Sequence, residues 1–149
     1  MATKAAAMLA GDNPADEEIE YGNGTQTSTN KVAHEFFYVL LMAAPHAHIL
    51  HLQTRSIAEH LALNELYTGL PDLTDTLIES YQGKYGLVMD YPANATMPTM
   101  SSPAAMVIAL NKYVDEKRAG VSDDSEIQNA IDEIVTLLNQ TTYKLKFLS

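Results

Sequence analysis

The chain has no cysteine and no tryptophan. Without cysteine there can be no disulfide and no thiolate metal site, so any metal would be held by nitrogen and oxygen ligands. The absence fits a reducing compartment without proving one. Basic residues are scarce. Nine Lys and Arg face nineteen Asp and Glu, a formal charge of −10. Such a surface repels phosphate backbones unless its few cations gather in one place. Lys4 and Lys31 are isolated, and Lys144 and Lys146 form only a small pair, so nucleic acid is an unlikely partner and cations are easier to attract. No run approaches the roughly 20 apolar residues that a membrane span requires, so no membrane association is expected. The opening "MATKAAAMLAGDNPADEE" has one Lys and a short Ala-rich stretch, a poor match to a signal peptide. An intracellular, soluble protein is expected.

A length of 149 residues and a hydrophobic share of 46% suit one domain with a real core. Residues 1–30 are acidic and polar, with little to bury. They are expected to be a flexible tail, or one that orders against a partner. After it the apolar spacing is helical throughout. His34, Phe37, Leu41, Ala44, His48 and His51 recur at steps of three and four, predicting a helix over 31–54 with a kink at Pro45. Ser56 with Glu59 reads as a capping box opening a second helix. That helix runs to about Tyr85 on the stripe Leu63, Leu66, Leu70, Leu73 and Leu77, with a kink near Gly69 and Pro71 and an end at Gly83 and Gly86. "LVMDYPANATMPTMSSP" suits a crossover between distant helix ends. A third helix is expected over 103–119. A fourth begins near Ser122, on the stripe Ile127, Ile131, Ile134, Leu138, Leu145 and Leu148. With no strand pattern, the fold class is all-α, a four-helix bundle over residues 31–149.

All five histidines fall between His34 and His60, four of them within "PHAHILHLQTRSIAEHLALNEL". His48 and His51 share the inner stripe of the first helix. His60 opens the second, so an antiparallel turn brings His51 and His60 together. Asn64 is one turn beyond His60. Asp75 and Glu79 are an i, i+4 carboxylate pair, and Asp75 lies within about 60° of His60 around the axis. Imidazole nitrogen with carboxylate oxygen suits iron, manganese or zinc. The plainer reading is hydrogen-bonded core histidines and a solvated carboxylate pair. His46 is placed at the surface and His34 at the helix terminus.

"LHLQTRSIAEHLALNEL…LTDTLIES" resembles the signature of the Dps family, the DNA-protecting ferritin-like proteins of starved bacteria. That signature has Leu-His-aromatic at the end of the first helix, His and Asp one turn apart on the second, then Asp-x-x-x-Glu. The counterparts are His51, His60, Asn64, Asp75 and Glu79, with His48 a rival to His51 because the turn is shorter. "HILHLQTRSIAEHLAL" and "YQGKYG" are still more similar to small ferritin-like bacteriophage proteins. The resemblance spans about residues 34–86, with a weaker match at "IDEIVTLLNQT". It implies a ferritin-like bundle and iron bound between subunits of a homo-oligomer, and so an Fe(II)-oxidising activity. The departures are specific. Asn64 replaces a ligand Asp, Leu52 replaces the aromatic, the tail is acidic, and the Glu-x-x-His motif of classical ferritins is absent.

Two readings therefore stand. One is a ferritin-like metal protein with His48 or His51, His60, Asn64, Asp75 and Glu79 around iron. The other is a phage structural or interaction protein using the bundle as a non-catalytic scaffold, alone or with other phage proteins. Either places the protein in the cytoplasm of a bacterial host or in a virion.

Overall fold

The computed structural model describes residues 28–92 and 102–148. These form α1 (Lys31–Gln53), α2 (Ile57–Tyr85), α3 (Pro103–Lys117), a single 3-10 turn (Arg118–Gly120) and α4 (Ser125–Phe147). The described part is all helical, and none of its helices is long and apolar enough to cross a membrane. The starts of α1, α2 and α3 are each capped by a side chain. The Asn30 side chain accepts the amides of Val32 and Ala33, and Ser102 caps α3 with Pro103 at its first turn. Gly86 ends α2 at φ 91°, a conformation that L side chains avoid.

Helices α1 and α2 run unbroken through Pro45 and Pro71, the positions where kinks were expected. Both prolines are exposed, so the carbonyls they leave without an amide partner can be served by water. Gly83 lies inside α2, and Gly86 alone terminates it.

Three polar ties fix the arrangement. Asn30 Nδ2 donates to the carbonyls of Gly120 (3.0 Å) and Val121 (3.1 Å), bringing the start of α1 to the α3–α4 junction. Lys84 meets Asp124 and Glu126, bringing the end of α2 to the same place. Lys144 meets Glu65, tying the last turns of α4 to the first turns of α2. The bundle therefore has a junction end and a turn end. Helix α2 runs from the turn end to the junction, and α3 approaches the junction in the same direction. The end of α2 and the start of α3 therefore lie at opposite ends of the bundle, with the segment expected as a crossover between them. Its residues 93–101 lie outside the described part.

Every helix contributes to one core, including Phe36, Phe37, Leu40, Leu63, Leu66, Leu70, Leu77, Tyr81, Val107, Val114, Ile131, Ile134 and Leu138. Phe37 meets Tyr81 edge to face at 5.0 Å, and Phe36 stacks on Tyr113 at 6.0 Å. The stripes of α2 and α4 are those expected, except that Leu73 is only half-buried against the core and Leu148 is exposed beyond the end of its helix. The stripe of α1 is wider than expected and shifted. Its buried residues are Ala33, His34, Phe36, Phe37, Val39, Leu40, Ala43, Ala44, Ala47 and His51, so His34, Phe37, Ala44 and His51 are inside as expected, whereas Leu41 and His48 lie outside. Small alanines let α1 pack closely and hide this row from a reading weighted toward large residues. Residues 28–30, assigned by sequence to the tail, belong to the fold. Ser28 is buried, its amide donates to the Leu87 carbonyl, and its hydroxyl pairs with Tyr81 Oη at 2.9 Å. The remaining tail, 1–27, lies outside the described residues.

Candidate functional site

The turn between α1 and α2 is held by a hydroxyl relay. Thr54 Oγ1 accepts the Ser56 amide at 3.1 Å and donates to the Glu59 carboxylate, while Ser56 Oγ accepts the Glu59 amide at 3.3 Å. The expected capping box is thus half realised. Ser56 plays its part, but Glu59 serves Thr54 rather than the Ser56 amide.

This turn sets two histidines face to face. His51 Nδ1 donates to the His60 carbonyl at 2.9 Å, and His60 Nδ1 donates to the His51 carbonyl at 3.2 Å. A carbonyl only accepts, so both rings carry hydrogen on Nδ1. In a neutral ring Nε2 is then the acceptor. The His51 carbonyl is among the last four of α1, which lack intrahelical partners, and His60 supplies one. The rings stack with centroids 3.7 Å apart and planes 27° off parallel, and His51 is only 7% exposed.

His48 is exposed and stacks on Tyr67 at 4.1 Å, with planes 12° apart. Tyr67 also presents its edge to His51 at 5.0 Å and donates from Oη to Asn64 Oδ1 at 3.2 Å. The sequence reading missed Tyr67. Its spacing of seven from His60 and three from Asn64 places it on their face and was the available signal.

The turn end of one chain therefore gathers His48, His51, His60 and Asn64, and does not gather Asp75 and Glu79. Asp75 is fifteen residues beyond His60 on one helix, about 22 Å along the axis. Among the described residues no three His, Asp or Glu side chains are placed to hold a metal ion. The stacked pair does not itself form a chelate. Imidazole lone pairs lie in the ring plane, so two nearly parallel rings 3.7 Å apart cannot both aim at one ion at about 2.0–2.1 Å. Asp75 instead borders a groove of about 270 Å³ between α1 and α2, together with Leu40, Leu41, Ala44, Pro71 and Thr74.

The other two histidines divide. His46 is exposed, as expected, and its Nδ1 donates to the Met42 carbonyl at 3.1 Å. His34 lies in the first turn of α1, at the helix terminus as expected, but is buried there. It is 3% exposed beneath the segment after α2, with Nδ1 donating to the Asp90 carbonyl at 3.2 Å.

A second polar cluster lies at the junction end. Lys84 Nζ is 2.8 Å from Asp124 and 2.9 Å from Glu126, and Tyr85 Oη donates to Asp124. The Lys84 ammonium, with help from the Tyr85 hydroxyl, holds the Asp124 carboxyl at about 2, and Lys84 also lowers Glu126. Asp124 is the N-cap residue of α4 without capping it, because its carboxylate is turned to Lys84 and Tyr85. Beside this cluster a cavity of about 490 Å³ is lined by Ser28, Asn30, Tyr81, Tyr85 and Ser122 among others.

No solved structure matches the chain with significance. Among curated proteins it is similar to the "Uncharacterized 14.6 kDa protein in mobD-ri intergenic region" of Enterobacteria phage T4, 25% identical over 130 residues, covering 85% of this chain and 98% of that protein. The profile of the family of unknown function DUF5856 matches residues 51–145. It begins at His51 and takes in His60, Asn64, Tyr67, Asp75, Glu79 and the Lys84 cluster, and the chain belongs to that family.

Proposed function

We propose that the chain is an interaction module of a phage, a non-catalytic helical scaffold whose α1–α2 face docks a macromolecular partner. One observation carries this reading. Ile49, Leu52 and Ile57 stand exposed around the α1–α2 turn, Leu52 at 70% and Ile57 at 72%, although the core beneath is complete. Side chains of this size clustered on one face are characteristic of docking surfaces. The histidines beside them are engaged in holding the turn. The phage relative supports the setting.

The test is photo-crosslinking in producing cells from a photoreactive residue at position 52, with position 112 on exposed α3 as control. Adducts from 52 and none from 112 are expected. No adduct from 52 removes the reading.

A second reading has one observation in its favour. Both Nδ1 atoms donate to carbonyls, the arrangement that leaves Nε2 as a ligand atom and fixes ring orientation in metal sites. In that reading a ferritin-like bundle binds iron, or manganese or zinc, between subunits of a homo-oligomer. His60 with His48 or His51 comes from one chain, and Asp75 and Glu79 from another. His51 and His60 must unstack for it. Metal analysis of protein purified without chelator or tag, with Fe(II) oxidation of wild type against His60→Ala/Glu79→Ala, decides it. Identical behaviour of the two proteins removes it.

A further inference from the structure

We propose that the groove between α1 and α2 is a binding site for a small aliphatic primary amine, held as its ammonium ion. This goes beyond the docking reading and does not depend on it, because neither Leu52 nor Ile57 lines the groove.

Thr74 stands at the floor of the groove. It is wholly buried, yet its hydroxyl has no partner among the described residues. A threonine inside a helix has a simple remedy, a bond to the carbonyl four residues back. Thr68, Thr76, Thr136 and Thr141 all make it. Thr74 does not, and its hydroxyl is left to whatever fills the groove. An unpaired buried hydroxyl lowers the stability of the free fold. Departures of this kind are characteristic of functional sites.

The rim adds charge. Asp72 and Asp75 are exposed at the edge of the groove, three residues apart and so neighbours on α2. The ion pairs of the described residues all lie elsewhere. On the α1 wall, Pro45 has no N–H to give the Leu41 carbonyl. The polar groups of the groove are therefore acceptors, except for one hydroxyl that can act either way. Leu40, Leu41 and Pro71 supply apolar wall between them.

An alkylammonium is the complement of this surface. Its head has three N–H donors and no acceptor, and its stem covers apolar wall as a lysine stem does. An anion would be repelled by the two carboxylates. A metal ion matches less well. Among the described residues no three His, Asp or Glu side chains are placed to hold one, and a hydrated ion gains nothing from Leu40 and Pro71. The groove of about 270 Å³ is smaller than the roughly 300–1,000 Å³ of drug-sized pockets, so its occupant is small.

Backbone amide NMR of the full chain, titrated with butylamine, tests this. Saturable shifts centred on Leu41 and Thr74 are expected, half complete at about 1 mM or below. Asp72→Asn and Asp75→Asn should each weaken binding about threefold, and about tenfold together, modest changes because both carboxylates face solvent. Thr74→Val should weaken binding about fivefold while the free protein gains stability, a division that a purely structural threonine would not show. Asp115→Asn removes the same charge from α3 and should leave binding unchanged. The spectrum of each variant reports whether it is folded, and the two exposed aspartates keep the test readable if Thr74→Val is not. No saturation by about 50 mM butylamine would overturn the proposal. So would equal binding of butanol, or an affinity indifferent to the carboxylates or to Thr74. Acetyl-lysine amide stands for a protein side chain. If it binds and butylamine does not, the groove takes a partner's lysine and the small-amine site is wrong.

Discussion

His51 and His60 each hold the other's main chain, ring nitrogen to carbonyl, at 2.9 and 3.2 Å, across a stack of 3.7 Å. The pair closes the α1–α2 hairpin twice over. Replacing one partner leaves the other ring without its stack and exposes a carbonyl of a helix end. His51→Ala should cost about 2–3 kcal/mol, from lost burial and one hydrogen bond. A cycle with His60→Ala should show a coupling of about 1 kcal/mol or more. Urea denaturation of the four proteins measures both. Additive losses would mean that the rings act separately.

At the junction end, Asn30 both caps α1 and binds the Gly120 and Val121 carbonyls. Asn30→Ala should cost about 2 kcal/mol, at the upper end for a cap because tertiary bonds go with it. Gly120 faces the same contact from the other side. A Cβ added there would lie 2.7 Å from Val32 Cγ1. Gly120→Ala should therefore destabilise by about 1 kcal/mol or more, and Val32→Ala should relieve most of that loss. The double variant's melting temperature checks the relief.

The shape of the bundle was readable because helical periodicity is a property of local sequence. The starts and ends of α1 and α2 fall within about two residues of those read from spacing and caps. The meeting of His51 and His60 was readable for the same reason, since a three-residue turn leaves antiparallel helices no alternative. What was not readable depends on the third dimension. The orientation of α1 turns on which neighbours its alanines touch. The burial of His34 depends on a segment some fifty residues later. Tyr67 belongs to the histidine cluster only because His48 faces outward to meet it. The separation of Asp75 from His60 within one chain follows from helix rise alone, whereas their meeting between chains is a matter of assembly.

Acid should find the Lys84 cluster. Asp124 is held at about 2, below its ordinary 3.8, first by the Lys84 ammonium and then by the Tyr85 hydroxyl. A lowered folded-state value stabilises the ionised native form above 3.8, and that contribution is lost as pH falls from about 3.8 to about 2. Asp124→Asn should flatten this part of the profile and leave the slope at neutral pH unchanged. The cluster is solvent-accessible, so 0.5 M salt should shrink the difference, by screening within about 4 Å. Urea midpoints of both proteins between pH 2 and 7 provide the measurement (a range of about five units, set by carboxylate titration).

Thr74 lies wholly buried on α2, and its hydroxyl finds no partner among the described residues. An unpaired buried hydroxyl costs more than the methyl that would replace it. Thr74→Val should stabilise the fold by about 0.5–1 kcal/mol, because Val keeps the branching of Thr and brings no unpaired hydroxyl. A loss of stability in thermal unfolding would show that the hydroxyl has a partner after all.

The two ends of this molecule close on different clocks. The histidine pair joins residues nine apart, whereas the Asn30 bonds to the α3–α4 junction span about ninety. On a ribosome, the α1–α2 hairpin can latch once the first turns of α2 have emerged, long before Gly120 exists to anchor the first turn of α1. Short loops also close at lower entropic cost than long ones. The chain is thus built to present its finished turn early, with the exposed Leu52 and Ile57 already in place, while the opposite end waits for the last helix.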